Sequence, residues 1–275
     1  MICWVSSFAA DPASHCREDM DKINSILSGL KKTDAPAGDK IVSVAEMMTG
    51  SPEDFFYTTD SVAALRINVD SFSPLMFINS VIALVKASEN PVGNSDWTLF
   101  FREFEDISCR RGENNGFPSI MYHTADWIGD NMLRGNISEL TENYPGVTAR
   151  TKSLDEMTRK RENYAALADS ATFEAIRMTE MGFRTHRIPA LKKETINKKE
   201  IIEDIHNGDI IILVSNRDGI DFYDIGFIKK EDGVPYIIHV SPQTHSVVKE
   251  KDDIIRYMKT MTKHFQGYRL LRLNN

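Results

Sequence analysis

The chain has 275 residues with 33 basic against 40 acidic side chains, a formal charge of −7 at neutral pH, and it is 41% hydrophobic and 27% charged. That is ample length for a hydrophobic core and a globular, not a disordered, composition. The acidic balance offers no field to hold a phosphate backbone, which argues against nucleic acid as a partner, and no apolar run approaches the roughly 20 residues that span a bilayer.

At the start of the chain, residues 1–10 (MICWVSSFAA) are mildly apolar and end in small residues before Asp11. They resemble the tail of a secretory signal that lacks its basic beginning; the plainer reading is a packed or frayed terminus. Met20, Ile23, Ile26, Leu27 and Leu30 repeat at helical spacing. Ser43 with Glu46, and Ser153 with Glu156, read as capping boxes, and Ser51-Pro52 as an N-cap followed by a proline at the first helical position. Trp97, Phe100, Phe101 and Phe104 form an aromatic stripe at helical spacing, which reads as core, and the glycine-containing stretch 111–116 reads as a loop.

The last third changes character. Residues 197–206 predict a helix stopped by Asn207-Gly208, and residues 209–214 (DIIILV) predict a strand buried on both faces. Two further strands, 221–228 and 236–241, are joined through a segment whose Asp232-Gly233 is a turn signal, and a final strand runs from 268 to 273. Helices first and hairpins afterwards predict an α+β fold, with a helical N-terminal two-thirds packed on a C-terminal antiparallel sheet.

The usual catalytic motifs are missing: no HExxH, no Walker lysine loop, no GxSxG and no CxxC. Cys3, Cys16 and Cys109 are too few and too scattered for a disulfide framework or a zinc site. His123, near Asp126 and Trp127, reads as structural. One pair carries geometry. Alternation puts Asp224 and His239 on the same face of neighbouring strands. If the hairpin closes around Glu231-Asp232 they lie directly opposite; a three-residue loop makes them diagonal neighbours, still within reach. A carboxylate beside an imidazole can orient and charge it for acid–base work, or be a buried polar pair without a task.

Several segments together resemble the N-acetylmuramoyl-L-alanine amidase-like family: Leu65-Arg-Ile-Asn-Val-Asp-Ser-Phe72, Phe117-Pro-Ser119 with Asp126-Trp-Ile128, Ile188-Pro189, Asn207-Gly-Asp-Ile-Ile211, Gly219-Ile-Asp221 with Ile225-Gly-Phe227, and Ile238-His-Val-Ser241. The resemblance implies a papain-like (NlpC-type) fold. It also implies a division into an N-terminal segment and helix, 1–30, and one amidase-like domain, 31–275, with a helical insertion around 90–190. It implies no cofactor, and a periplasmic or cell-envelope location. Catalysis in that family needs a cysteine thiolate at the start of a helix, in a pattern reading roughly Asp-Gly-Phe-Asp-Cys-Thr-Thr. Here the stretch is Asp70-Ser-Phe-Ser73-Pro74-Leu75-Met76, so the resemblance puts Pro74 at the nucleophile position. The family's Ser-His-Val-Gly corresponds to Tyr223-Asp224-Ile225-Gly226, which puts Asp224 in place of the base, and only His239 retains a residue of the polar set.

The resemblance therefore implies a catalytically degenerate amidase-like protein. Its partner would be a peptidoglycan fragment (a muramyl peptide) or another protein, received in a cleft lined by Tyr122, Asp126, Trp127, Asp224 and His239. The alternatives are a residual amidase using non-standard groups and an interaction protein whose cleft is irrelevant. Ser73 or Ser71 as nucleophile would need a base near neutral pKa, for which Asp224 is intrinsically too weak. A metal bound by Asp221, Asp224 and His239 fits poorly, because Asp221 falls on the opposite strand face from Asp224.

Overall fold

Ile210-Ile-Ile-Leu-Val-Ser215 is apolar without alternation because the strand it forms is covered on both faces. The computed structural model describes residues 3–4, 17–55, 65–90, 97–261 and 263–274. The two readings of residues 1–10 lie outside them, apart from a two-residue strand, β1 (Cys3–Trp4).

The helices α1 (Arg17–Leu30) and α2 (Ala37–Met47) come next, and the short β2 (Arg66–Ile67) pairs with β1. Then follow α3 (Pro74–Glu89), α4 (Trp97–Ser108) and α5 (Thr124–Leu133). Three strands, β3 (Ile137–Glu139), β4 (Val147–Lys152) and β5 (His186–Lys192), alternate with α6 (Ser170–Met181), which lies between β4 and β5. The last third contains α7 (Lys199–Asp204), β6 (Ile210–Ser215), β7 (Phe222–Glu231), β8 (Val234–Ser241), β9 (Ser246–Lys249), α8 (Ile254–Thr260) and β10 (Phe265–Leu273).

The main sheet has eight strands in the order β4-β5-β10-β6-β7-β8-β9, with β3 pairing β10 beside β5. Its pairings are antiparallel throughout. The fold is α+β, as the sequence predicts, but the prediction of a helical first two-thirds misses three strands of the main sheet, besides the short β1 and β2. Val147–Lys152 leaves four of its six residues exposed and shows no alternation, and His186–Lys192 carries Pro189. Edge and edge-adjacent strands of this kind lack the period-two signal that makes a half-buried strand legible.

Alternation along the central strands sorts two cores. Ile210, Ile212, Ile225, Phe227, Ile238 and Val240 face α3, which is buried almost all round and packs on α1, α2 and α4 as well as on β7 and β8. A helix apolar on every side belongs in the middle of a core. Phe77 of α3 meets Phe227 edge-on, centroids 5.8 Å apart. Out of phase with these, Ile211, Leu213, Ile228, Ile237 and Leu270 face Ile201 of α7 and Ile205 just after it, and Ile254, Tyr257 and Met258 of α8. Each such fully buried aliphatic or aromatic side chain contributes about 1.5–3 kcal/mol. Among the described residues no helix is long and apolar enough to cross a membrane.

The predicted helix starts need three corrections. Ser43 lies inside α2, which begins after Pro36, so Ser43 and Glu46 do not form a cap. Ser51-Pro52 does not open a helix within the described residues; Pro52 bridges Ser246, and Val247 of β9 donates to Ser51 O, which covers that edge of the sheet. Ser153 donates to Arg184 O, while Glu156 pairs with Lys160 and Arg159.

Candidate functional site

α3 starts where the sequence predicts, with Ser73 extended at φ −74° and Pro74 in the first turn. Proline fits there because its fixed φ suits a helix and its missing N–H would have no helical acceptor. The Ser73 hydroxyl, however, makes no cap bond; it is buried without a partner. Ahead of it, Asn68 organises the approach by accepting from the backbone N–H groups of Asp70 and Ser71 at 2.8 and 3.0 Å, and its Nδ2 donates to Ser71 Oγ at 2.6 Å. The space lined by Asp54, Asn68, Ser71, Ser73, Met76, Ser80 and Phe104 is only about 10 Å³, room for one water at most. Among the described residues neither serine has an imidazole beside it: Ser71 reaches Asn68 and Asp54 instead.

Asp224 and His239 do meet, by a different register from either predicted one. The β7–β8 turn is Asp232-Gly233, with Glu231 opposite Val234, so Gly226 faces His239 and Asp224 is the diagonal neighbour. Both turn residues have positive φ, 49° and 83°, as a tight two-residue hairpin requires. Gly226 is needed because a Cβ there would lie 2.8 Å from that of His239 and 2.6 Å from Ile237 Cγ1. His239 Nδ1 bonds Asp224 at 2.8 and 2.9 Å, and its Nε2 bonds Glu250 at 3.0 Å. The Tyr257 hydroxyl of α8 donates to Asp224, and its ring stands edge-on to the imidazole at 5.2 Å. These residues sit on the sheet face away from Phe77 and α3, sealed under α8: His239 is 0% exposed and Asp224 2%.

Burial opposes charge on His239, but Asp224 and then Glu250 outweigh it and raise its pKa to about 9. At neutral pH both ring nitrogens are donors, so the imidazolium has no lone pair with which to accept a proton. Burial first, and then the Asp224 charge, push the Tyr257 hydroxyl far above its usual range. Cys109 is buried, and burial pushes its thiol up to about 12, so it is no thiolate at neutral pH.

A second buried cluster gathers around His123, at the start of α5. Its Nε2 bonds Glu180 at 2.9 Å, while its Nδ1 stands 3.9 Å from Asp221. Asp221 accepts from Thr124 Oγ1 at 2.7 Å and from the Ala125 N–H. Glu180 accepts from the N–H groups of Met157 and Thr158 at 3.1 and 3.0 Å. Burial disfavours the ions, yet the mutual pairing raises His123 to about 9 and lowers Asp221 to about 2. Asp221 thus serves this cluster and not Asp224. Among the described residues no group of three or more His, Cys, Asp or Glu side chains is placed to hold a metal ion.

The remaining expected cleft residues are spread around α5. Tyr122 is half-buried and its hydroxyl meets that of Tyr164 at 2.9 Å; Asp126 is ion-paired with Arg110; Trp127 is fully buried, its indole N–H without an acceptor. A larger cavity, about 680 Å³, lies elsewhere, between the start of α2 and the 205–209 turn. Its charged groups are already paired: Arg272 holds Asp209 at 2.6 and 2.8 Å, and Lys230 Nζ donates to Ile202 O and Ile205 O at 2.6 and 2.9 Å. Sequence reasoning missed Glu250 and Tyr257 as partners of the Asp224–His239 pair. The one available signal was Asp253, which accepts from Arg256 N as the cap of α8 and places Tyr257 in its first turn.

A family model described as N-acetylmuramoyl-L-alanine amidase-like matches residues 53–264. A search of curated proteins found no match. Among solved structures, an N-acetylmuramoyl-L-alanine amidase from Bacteroides uniformis ATCC 8492 superposes with a TM-score of 0.76 at 20% identity, over 87% of this chain and 99% of that one. A putative xylanase from Bacteroides fragilis gives 0.73 at 24% identity, over 84% and 100%. A protein from Legionella pneumophila gives 0.72 at 14% identity, over 94% and 95%. At these identities the likenesses speak for a shared fold. Because the family model spans most of the sequence, from Glu53 to His264, the chain belongs to the N-acetylmuramoyl-L-alanine amidase-like family.

Proposed function

We propose that the chain is a catalytically degenerate amidase-like protein, papain-like (NlpC-type) in architecture, that binds a peptidoglycan fragment without cleaving it. The observation that carries this reading is Pro74 at the first position of the buried helix α3, where the resemblance calls for a cysteine. Proline has no thiol to attack a carbonyl and no N–H to donate to the oxyanion that would follow. The other groups agree with this. Among the described residues neither Ser73 nor Ser71 has a histidine beside it, Cys109 is buried and protonated, and His239 is held as an imidazolium between two carboxylates.

The ligand class follows from the family. Tyr122 and Asp126 are the expected cleft residues that keep part of their surface exposed; Trp127, Asp224 and His239 support the scaffold from within. The test is incubation of the purified chain with muramyl-L-alanine peptides, with mass spectrometry for hydrolysis at the muramyl–alanine amide and calorimetry for binding. The expected result is heat of binding without cleavage. Cleavage by the unmodified chain would overturn the degenerate reading. Absence of heat at millimolar ligand would overturn the ligand and favour a protein partner.

A further inference from the structure

A cleft of about 320 Å³ opens between α5 and the strands β3, β5 and β10, and shares no lining residue with the α3 start or the Asp224–His239 network. That volume matches a small ligand of amino-acid to dipeptide size. Arg269 lines it, only 4% exposed, with Nε and Nη2 donating to the two carboxylate oxygens of Glu139 at 2.8 and 2.7 Å. The third nitrogen, Nη1, has no acceptor. A buried guanidinium with one nitrogen unanswered is an incomplete hydrogen-bonding arrangement, and such groups in a folded protein ask for a partner.

The rim carries one charge of each sign. Arg187 and Glu142 are exposed, and among the described residues their side chains pair neither with each other nor with another group. His186 lies beside them with its ring edge-on to Phe183 at 5.3 Å. Burial, and then the Arg269 charge, lower its pKa, so the imidazole is neutral at neutral pH and adds no net charge. Since Arg269 and Glu139 cancel, the described residues leave the cleft one free cation and one free anion above an apolar wall that includes Ile128 and Pro189. A simple anion would meet Glu142 unfavourably, and a simple cation would meet Arg187.

We propose that this cleft binds a small zwitterion, an α-amino acid or a short peptide with both termini free, its carboxylate on Arg187 and its ammonium on Glu142, above the buried Arg269–Glu139 pair. The site is separate from the former active-site position and stands whether or not muramyl peptides are cleaved.

The test titrates the full chain with L-alanyl-L-alanine, its N-acetyl derivative (anion only) and its C-terminal amide (cation only), by calorimetry or by NMR shift changes. The dipeptide is expected to bind, each blocked form at least tenfold more weakly. Arg187→Ala and Glu142→Ala are expected to weaken the dipeptide at least tenfold each. Both positions are exposed, so unchanged thermal melts will show that the fold is intact. Equal affinity for the blocked forms, no binding of the dipeptide at millimolar concentration, or indifference to both substitutions would overturn the proposal.

Discussion

Replacing His239 with glutamine takes a single charge out of a sealed network and keeps a hydrogen-bond donor of similar size. In the native chain the imidazole is lifted from its ordinary 6.5 to about 9, against burial, by Asp224 and Glu250. Each tenfold in proton affinity is about 1.4 kcal/mol, so the charged form is held in the fold by roughly 3 kcal/mol. After substitution Asp224 keeps only the Tyr257 hydroxyl in a dry site, whereas Glu250, a quarter exposed, can turn to water. The expected loss at pH 6 is therefore about 3 kcal/mol, consistent with removing one partner of a buried pair. Because the folded pKa is raised above the unfolded one, the native advantage is complete below about pH 6.5. It declines as pH rises and is gone once pH passes about 9. The assay is urea unfolding of both proteins across that range; His123, which titrates over the same window in each, cancels in the difference. A native-minus-variant difference near zero at pH 6, or one that stays constant to pH 9.5, would refute the account of His239 as a buried imidazolium.

Two further substitutions probe the frame around the site. Gly226→Ala puts a Cβ within 2.6–2.8 Å of Ile237 Cγ1, Ile238 O and His239 Cβ in a central strand; the expected cost is about 2 kcal/mol by overpacking, read as a lower urea midpoint with an unchanged slope. Lys152→Met strips the donor from the carbonyls of Ser215, Arg217 and Ile220, which Lys152 Nζ ties together, two of them at 2.9 Å. A loss of about 3 kcal/mol is expected, with faster amide exchange across residues 215–221.

What the sequence reveals depends on how local the cause is. β6, β7, β8 and β10 are legible because apolar runs end at turn residues, and Asn207-Gly208 and Asp232-Gly233 punctuate them. β4 and β5 are not, since an edge strand with exposed Thr148, Ala149, Arg150 and Thr151 has no buried face to alternate with. The capping-box reading fails at Ser43 because a serine three residues before a glutamate also occurs inside helices, and here Pro36 has already set the start. The Asp224–His239 contact is legible as strand periodicity, although the turn falls at Asp232-Gly233, one residue later than Glu231-Asp232. Its partners Tyr257 and Glu250, like Glu180 and Asp221 around His123, come from other elements that only tertiary packing brings into reach.

The two halves of the proposed former site differ in what their loss costs the fold. A residue at the first turn of a helix touches little that depends on its side chain, and proline there even pre-sets the backbone, so exchanging a thiol for Pro74 is structurally free. The imidazole side is different. His239 is bound to two carboxylates, one of which also holds Tyr257, and removing any single member leaves another buried without its partner. Substitution is cheap at Pro74 and expensive at His239. On the proposed reading, position 74 was free to change and the base position passed to Asp224, while His239, the remaining member of the polar set, is held in place by its buried partners. On this argument the surviving His239 is evidence of packing, not of residual activity. Restoring a cysteine at position 74 alone would return a thiol on the α3 side of the sheet, whereas His239 lies on the other face and is already protonated at neutral pH.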